Sequence, residues 1–336
     1  MSEQRQPLLS IIVIAYDMQR QALNTLRSLA GDYQQDVDAA DYEVIVVENR
    51  SARTLDVQAI AALPGNFRYF LRDEPGVSPA AAINFAFAQA RGRYIGLLID
   101  GARMVTPGVI RHTLMAFRMN EQALVAVPGF HLGEHDQQFH LTNGYSEASE
   151  IGLLQSVDWP RNGYGLFDIA CWSPGNARGA LQPFMECNCL FASAECFREI
   201  GQADERFQCP GGGMLNLDIY RRLAMLPATQ LVVLAGEGSF HQLHGGVTTS
   251  ESGRREQILQ RQQEEYLAIR GQPYHSPTLE PLLLGQFKWP ATRFLERSAE
   301  WAQKRFQRFA NDGRDPFADE RIKRESLQTQ GHVADH

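Results

Sequence analysis

Four short polar clusters, each directly after an apolar run, hold residues able to do chemistry. They are Tyr16-Asp17, Glu48-Asn49-Arg50-Ser51, Arg72-Asp73-Glu74 and Asp100-Gly101-Ala102-Arg103. An aromatic ring can stack on a base, and a carboxylate can accept hydrogen bonds from a base N–H or from ribose hydroxyls. A guanidinium grips phosphate through two parallel hydrogen bonds. Polar strand ends are common, so each residue alone says little; together they outline a mononucleotide pocket.

The apolar runs read as strands of an alternating pattern. Leu9–Ala15 is a continuous β-rich run, the mark of a strand buried on both faces. Met18, Ala22, Leu23, Leu26, Leu29 and Ala30 recur at helical spacing before Gly31 stops them. Strands follow at 42–47, 67–71, 94–99 and 124–128, with helices between. The helix after Ser78-Pro79 carries Arg91 in its last turn and Gly92 at its end. The expected class is α/β, a doubly wound, mostly parallel sheet with helices on both faces. In such sheets ligands sit beyond the carboxyl ends of the strands, where all four clusters fall.

Residues 131–185 show no period and are expected to be acceptor-binding loops. Further strands are expected at 187–192 and 231–235, with a short helix at 194–200. Near the C-terminus Phe287, Phe294 and Trp301 fall seven apart among basic residues. This pattern fits a helix packed back on the domain, the favoured reading, or a basic amphipathic helix at a membrane surface. The expected division is a domain over 1–270, a helical extension over 271–310 and a flexible tail over 311–336.

Composition narrows the chemistry. The 336 residues are 44% hydrophobic and 21% charged, as in a globular chain, with a net charge of −7 that argues against a nucleic-acid partner. The only lysines are Lys288, Lys304 and Lys323, against 29 arginines (32 basic residues less three). A phosphate-binding loop of the Gly-Lys kind and a Schiff-base lysine therefore lack their residue through the first 287 positions. No GxGxxG follows the first strand, which excludes a dinucleotide fingerprint. The five cysteines include no CxxC pair, and Cys187 and Cys189 read as buried thiols on a strand. No apolar run is long enough to span a bilayer and no leader pattern opens the chain, so a cytoplasmic protein is expected, with peripheral contact at the inner membrane face as the alternative.

Three segments in order are Ser10-Ile-Ile-Val-Ile-Ala-Tyr16, Val44-Ile-Val-Val-Glu-Asn-Arg-Ser51 and Ala90-Arg-Gly-Arg-Tyr-Ile-Gly-Leu-Leu-Ile-Asp100, with Pro107 beyond. This series resembles the GT-A glycosyltransferases of family 2, over about residues 8–250 and most strongly over the first 110. The resemblance implies a GT-A-like fold, a nucleoside-diphosphate sugar donor and inversion at the anomeric carbon, by an enzyme of hexosyltransferase type. It implies that Tyr16 packs on the base, that Glu48 hydrogen-bonds it, and that Asp100 opens the acidic DxD motif near ribose and metal. Arg72 and Arg103 join them as nucleotide-binding candidates.

Two departures stand out. The second acid of the motif falls on Ala102, which leaves a divalent metal (Mn2+ or Mg2+) with Asp100 and, from the late stretch His241-Gln-Leu-His244-Gly-Gly, His244 as its expected ligands. A His-x-x-His pair behind a strand is also a common structural feature. The acid that the family uses as general base aligns with Asn216 in Leu215-Asn216-Leu217-Asp218, with Arg222 matching the family's arginine. Asp218 is the expected base and Glu186 the reserve, although Asp218 could instead salt-bridge its own helix. The expected reaction is sugar transfer to the hydroxyl of an unknown glycan, lipid-linked or small-molecule acceptor. The alternatives are a non-catalytic nucleotide-sugar-binding module and a retaining transferase on the same fold.

Overall fold

The computed structural model describes residues 6–135, 144–176, 179–182, 184–244 and 255–313. In chain order the elements are β1 (Leu9–Ala15), α1 (Gln19–Ser28), β2 (Tyr42–Asn49), α2 (Val57–Ala61), β3 (Phe67–Arg72), α3 (Ala80–Gln89), β4 (Tyr94–Leu98), β5 (Arg103–Val105), α4 (Val109–Met119), β6 (Ala123–Ala126) and β7 (Gly129–Leu132). They continue with α5 (Glu147–Ser156), β8 (Ala170–Trp172), β9 (Cys189–Ser193), α6 (Ala194–Glu199), α7 (Leu215–Ala224), β10 (Gln230–Ala235), β11 (Ser239–His241), α8 (Arg255–Arg270), β12 (Leu282–Gly285) and α9 (Thr292–Asn311). The expected α/β class, doubly wound and mostly parallel, holds.

The main sheet runs β12-β10-β6-β9-β4-β1-β2-β3. β1 lies between β2 and β4, parallel to both, and all seven of its residues are buried, as its unbroken apolar run requires. Its one polar residue, Ser10, donates to Glu43 and accepts from Gly92 N–H (both bonds 2.7–2.8 Å), so no buried polar atom there goes unpaired. β9 alone runs antiparallel, between β4 and β6. Its beginning therefore meets the ends of β4 and β6. In register Leu98 faces Cys189, so the chain leaving β4 toward Asp100 runs beside the chain entering β9 from Glu186.

A second sheet, β5-β11-β7-β8, has no counterpart in the sequence reading. Its pairing aligns Met104, Phe240, Phe130 and Trp172 in one row and Arg103, His241, His131 and Cys171 in the next. Directly paired residues share a face and successive ones alternate, so one face is apolar and the other polar. Phe130 anchors the apolar face, with ring centroids 4.6–5.3 Å from Trp172, Phe240, Phe167 and Phe294.

Two expectations about organisation are corrected. Residues 131–185 are not a bare loop: they supply β7, α5 and β8, too short or too mixed in pattern to show as periods. The stretch 271–310 is not helix alone: it also supplies β12, which joins the main sheet beside β10. The favoured reading of α9 agrees with its packing: Phe294, Ser298 and Ala302 are buried on the domain, and Ala180 N–H donates to Ser298 Oγ at 3.0 Å. Residues 314–336 of the expected tail lie outside the described residues. Among the described residues no helix is long and apolar enough to cross a membrane.

Cys187 and Cys189 are buried as expected, and burial pushes the Cys187 thiol up to about 12. Because the polar row stands on the aromatic one, Phe130→Ala is expected to cost about 3–5 kcal/mol in urea unfolding. A loss under about 1 kcal/mol would mean that the second sheet is held by something other than this contact.

Candidate functional site

The polar row of the second sheet meets the end of β4 at Asp100. Asp100 Oδ2 lies 2.7 Å from His241 Nε2 and 3.5 Å from His244 Nε2, and the two ring nitrogens are 3.0 Å apart. One donor atom from each residue falls within 4.8 Å of the others. The late histidines and the early aspartate thus come together. His241 joins the pair of ligands expected at Asp100 and His244, and its signal was the His-x-x-His spacing itself.

Much of the surrounding structure serves to hold this segment. Gln242 is fully buried; its N–H donates to Ala102 O (2.9 Å) and its side-chain amide to Gln21 O (2.9 Å). Asn24 of α1 donates to Gln242 Oε1 and Gln21 to Leu243 O, at 2.8 and 2.6 Å. From α5, the buried Glu150 accepts from Leu243 N–H at 2.6 Å and from Arg20 Nη2 at 2.8 Å. Gly101 has its own reason: a Cβ there would lie 2.6 Å from the Ile14 carbonyl oxygen, which only glycine avoids. The turn is also closed by Ala102 N–H donating to Asp100 Oδ1 at 3.0 Å.

Electrostatics divide the three groups. Burial would raise the Asp100 carboxyl, but the neighbouring His244 and His241 outweigh it and hold it well below the usual range. Burial pushes His241 down to about 3, against the pull of Asp100. For His244 burial also lowers, yet the attraction of Asp100 wins and the ring is raised above 6.5. Without a metal, the arrangement near neutral pH is therefore an ionised Asp100, a neutral His241 and a His244 that holds its proton readily. One carboxylate and two imidazoles fit a divalent ion, and they suit Mn2+ better than Mg2+, which prefers an all-oxygen shell with several waters.

Arg103 follows on β5, opposite His241, with a side chain only 8% exposed and Nε 4.0 Å from Asp100 Oδ2. Ala102 beside it is fully buried and offers no ligand atom. Tyr16, at the end of β1, is 62% exposed, as a ring that stacks on a ligand must be. Asp17, next to it, takes a left-handed φ of 50° and pairs with Arg53 at 3.1 Å. Arg72 is committed locally, paired to Glu74 with its guanidinium 4.0 Å over the Phe85 ring.

Two expected roles are corrected by burial. Glu48 is fully enclosed, accepting from Leu55 N–H at 2.9 Å and from the Tyr69 hydroxyl at 2.6 Å, so it ties a loop to β3 and presents no oxygen to a base. Asp218 is equally enclosed. Arg222 reaches it at 2.7 Å, and Arg270 of α8 grips both of its oxygens at 2.6 and 2.7 Å. It anchors α7 to α8 and has no oxygen to offer an acceptor. Glu186, by contrast, is half-buried at the entry to β9 and packs over Gly175, where a Cβ would lie 2.1 Å from Glu186 Cγ. Asn216 donates to Asn188 at 2.5 Å, and Asn188 reaches Glu186 at 3.4 Å. Asn188 and Asn216 share a hollow with Ile99, the residue before Asp100.

Residues 10–163 match the family profile described as glycosyl transferase family 2. The matched segment is just under half of the chain. It spans β1 to the end of α5, and so includes Tyr16, Asp100 and Arg103, whereas Glu186, Asn216 and the histidine pair lie outside it. No sequence among the curated proteins matches the chain. Among solved structures it is similar to S. aureus TarS 1–349 in complex with UDP (12% identity, TM-score 0.48, covering 77% of this chain and 72% of that one). It is also similar to the mannosyltransferase PcManGT from Pyrobaculum calidifontis in complex with GDP-Man and Mn2+ (16% identity, TM-score 0.49, covering 98% and 81%).

Two measurements test this site. Asp218→Asn is expected to cost about 2–4 kcal/mol, because removing the buried charge strands two largely enclosed arginine partners. Full stability with lost activity would instead make Asp218 catalytic. The histidines predict opposite pH slopes in the metal-free protein. A lowered His241 gives stability that is complete above pH 6.5 and is lost as pH falls toward about 3. A raised His244 gives stability that is complete below 6.5 and is lost as pH rises through its folded value. In thermal unfolding from pH 4 to 9, His241→Gln should flatten the acid side and His244→Gln the alkaline side, each with a smaller acid-side change from Asp100, whose carboxyl both rings hold low; unchanged slopes would refute the assignment.

Proposed function

We propose that the protein is a glycosyltransferase that moves a sugar from a nucleoside-diphosphate donor to an acceptor hydroxyl with inversion. The observation that carries this reading is the Asp100–His241–His244 group at the carboxyl end of β4, with the Glu186 carboxylate on the strand entry running beside it. The donor lies across the ends of β1 and β4, with its base against Tyr16 and its diphosphate toward Asp100. A divalent ion held by Asp100, His241 and His244 would supply positive charge to the departing diphosphate.

Glu186 is the base in this reading. An inverting transfer needs a carboxylate or imidazole within hydrogen-bond reach of the acceptor hydroxyl as it attacks the anomeric carbon. Asn216 cannot take that proton and Asp218 is occupied by two arginines, whereas Glu186 keeps oxygen capacity and partial exposure. The Asn188–Asn216 pair orients it from one side and the Gly175 backbone supports it from the other. The reaction then separates cleanly: Glu186 accepts the hydroxyl proton, the acceptor oxygen bonds to the anomeric carbon, and the nucleoside diphosphate leaves from the opposite face. This reading favours an enzyme over a binding module, because Glu186 offers a carboxylate within a hydrogen-bonded chain that reaches Asn216 through Asn188.

The test is a panel of UDP-, GDP- and dTDP-sugars with Mn2+ or EDTA, measuring released nucleoside diphosphate and the anomeric configuration of the product by NMR. Glu186→Gln is expected to lower kcat by about 10²–10⁴-fold while leaving nucleotide affinity within about twofold. Retention of configuration, or a Glu186→Gln variant with normal turnover, would remove the inverting mechanism built on this residue.

A further inference from the structure

Arg103 presents an unusual balance of burial and bonding. Its side chain is 8% exposed, its Nε is buried without a hydrogen-bond partner, and among the described residues the guanidinium makes no hydrogen bond. The nearest carboxylate, Asp100 at 4.0 Å, is already held closer by His241 and His244. A guanidinium carries five N–H donors and stays charged under all ordinary conditions. Burying it with no hydrogen bond and only a distant, shared carboxylate is costly, and little inside the folded protein offsets that cost.

The surroundings define what would complete it. Arg103 shares the polar row of the second sheet with His241, which fixes its side chain on the face toward Asp100. No carboxylate can come from Ala102, which is fully buried at the preceding position. The site therefore combines a fixed cation with one carboxylate that two imidazoles already share. Such a site attracts an anion whose oxygens match a planar fork of N–H groups, which is the geometry of a phosphate.

We propose that Arg103 is a binding residue for the diphosphate of the donor, gripping a phosphate oxygen directly, so that nucleotide binding does not depend on a metal ion alone. The proposal rests on the glycosyltransferase reading for the identity of the anion. The Arg103 cation stands one residue from the position where the family carries its second acid, and it replaces part of the ion's charge with a charge of the chain.

Three proteins and two conditions test it. Wild type, Arg103→Lys and Arg103→Met are titrated with UDP, GDP, dTDP and inorganic pyrophosphate, in EDTA and in Mn2+, and their ligand-free melting temperatures are recorded. The expected result is diphosphate binding in EDTA that falls about tenfold or more in Arg103→Met and less in Arg103→Lys. Ligand-free Arg103→Met should melt no lower than wild type, because a buried charge without a hydrogen bond has been removed.

Arg103→Met that melts lower and binds nucleotide unchanged in EDTA would make Arg103 structural and overturn the inference, leaving the transferase reading intact. Wild type that binds nucleotide only with Mn2+ would likewise overturn it. Pyrophosphate binding that needs Arg103, without any preference for a nucleotide, would keep the anion site and overturn the nucleotide-sugar reading. Failure of every ligand in both conditions would overturn both.

Discussion

The site depends on a constraint within four short strands: the second sheet has two faces that cannot both be buried in the same way. Met104, Phe240, Phe130 and Trp172 must turn toward the aromatic cluster, and α9 covers them with Phe294. The pleat then forces Arg103, His241 and His131 onto the opposite face. None of these polar residues is drawn there by an affinity of its own. They are carried there by their apolar neighbours in sequence, and a slip of one residue would turn the histidines into the aromatic layer. The residues of chemical interest are positioned by the packing of residues that do none.

That constraint also explains why so much polar structure gathers behind residues 241–244. A segment that leaves a sheet edge beside Asp100 exposes backbone groups, and each buried one needs a partner. Gln21, Asn24 and Gln242 provide amides, and Glu150 provides a carboxylate from a different helix. The result is a histidine pair set on rigid elements, with its carboxylate partner on the turn after β4. Its charge balance is incomplete in two places: Asp100 serves two rings at once, and Arg103 has no close partner. Binding sites are where such imbalances are tolerated, because a ligand resolves them.

The main sheet was legible because its strands are long and apolar: β1 ends where its run ends, and β2, β3, β4 and β10 fall within a residue or two of expectation. The second sheet was not, since three or four residues are too few to establish a period, and its partners lie far apart in sequence. Asp100 and His244 could be paired from the sequence only through resemblance; the register of Arg103 with His241 shows how they meet. Glu48 and Asp218 misled for a common reason. Sequence position gives the strand end or helix start but not which way the carboxylate turns. Leu55 and Tyr69 claim one and Arg270, from 52 residues downstream, claims the other.

The case of Asp218 bears on how a family motif can lose its acid and keep its architecture. Two demands meet at α7: the helix must be anchored, and an acid must be offered to the acceptor. Asp218 satisfies the first through Arg222 one turn on, as well as Arg270. A charge held that tightly is a poor proton acceptor, because its lone pairs are already committed. Asn216 keeps the position of the acid but only the capacity to hydrogen-bond, and it uses that capacity on Asn188, two residues past Glu186. The antiparallel direction of β9 makes this exchange feasible, since it brings the beginning of one strand to the ends of its neighbours. Glu186, just before that beginning, is tied to Asn216 of α7 through Asn188. In the proposed reaction the acid would thus pass from helix to strand with the sheet unaltered.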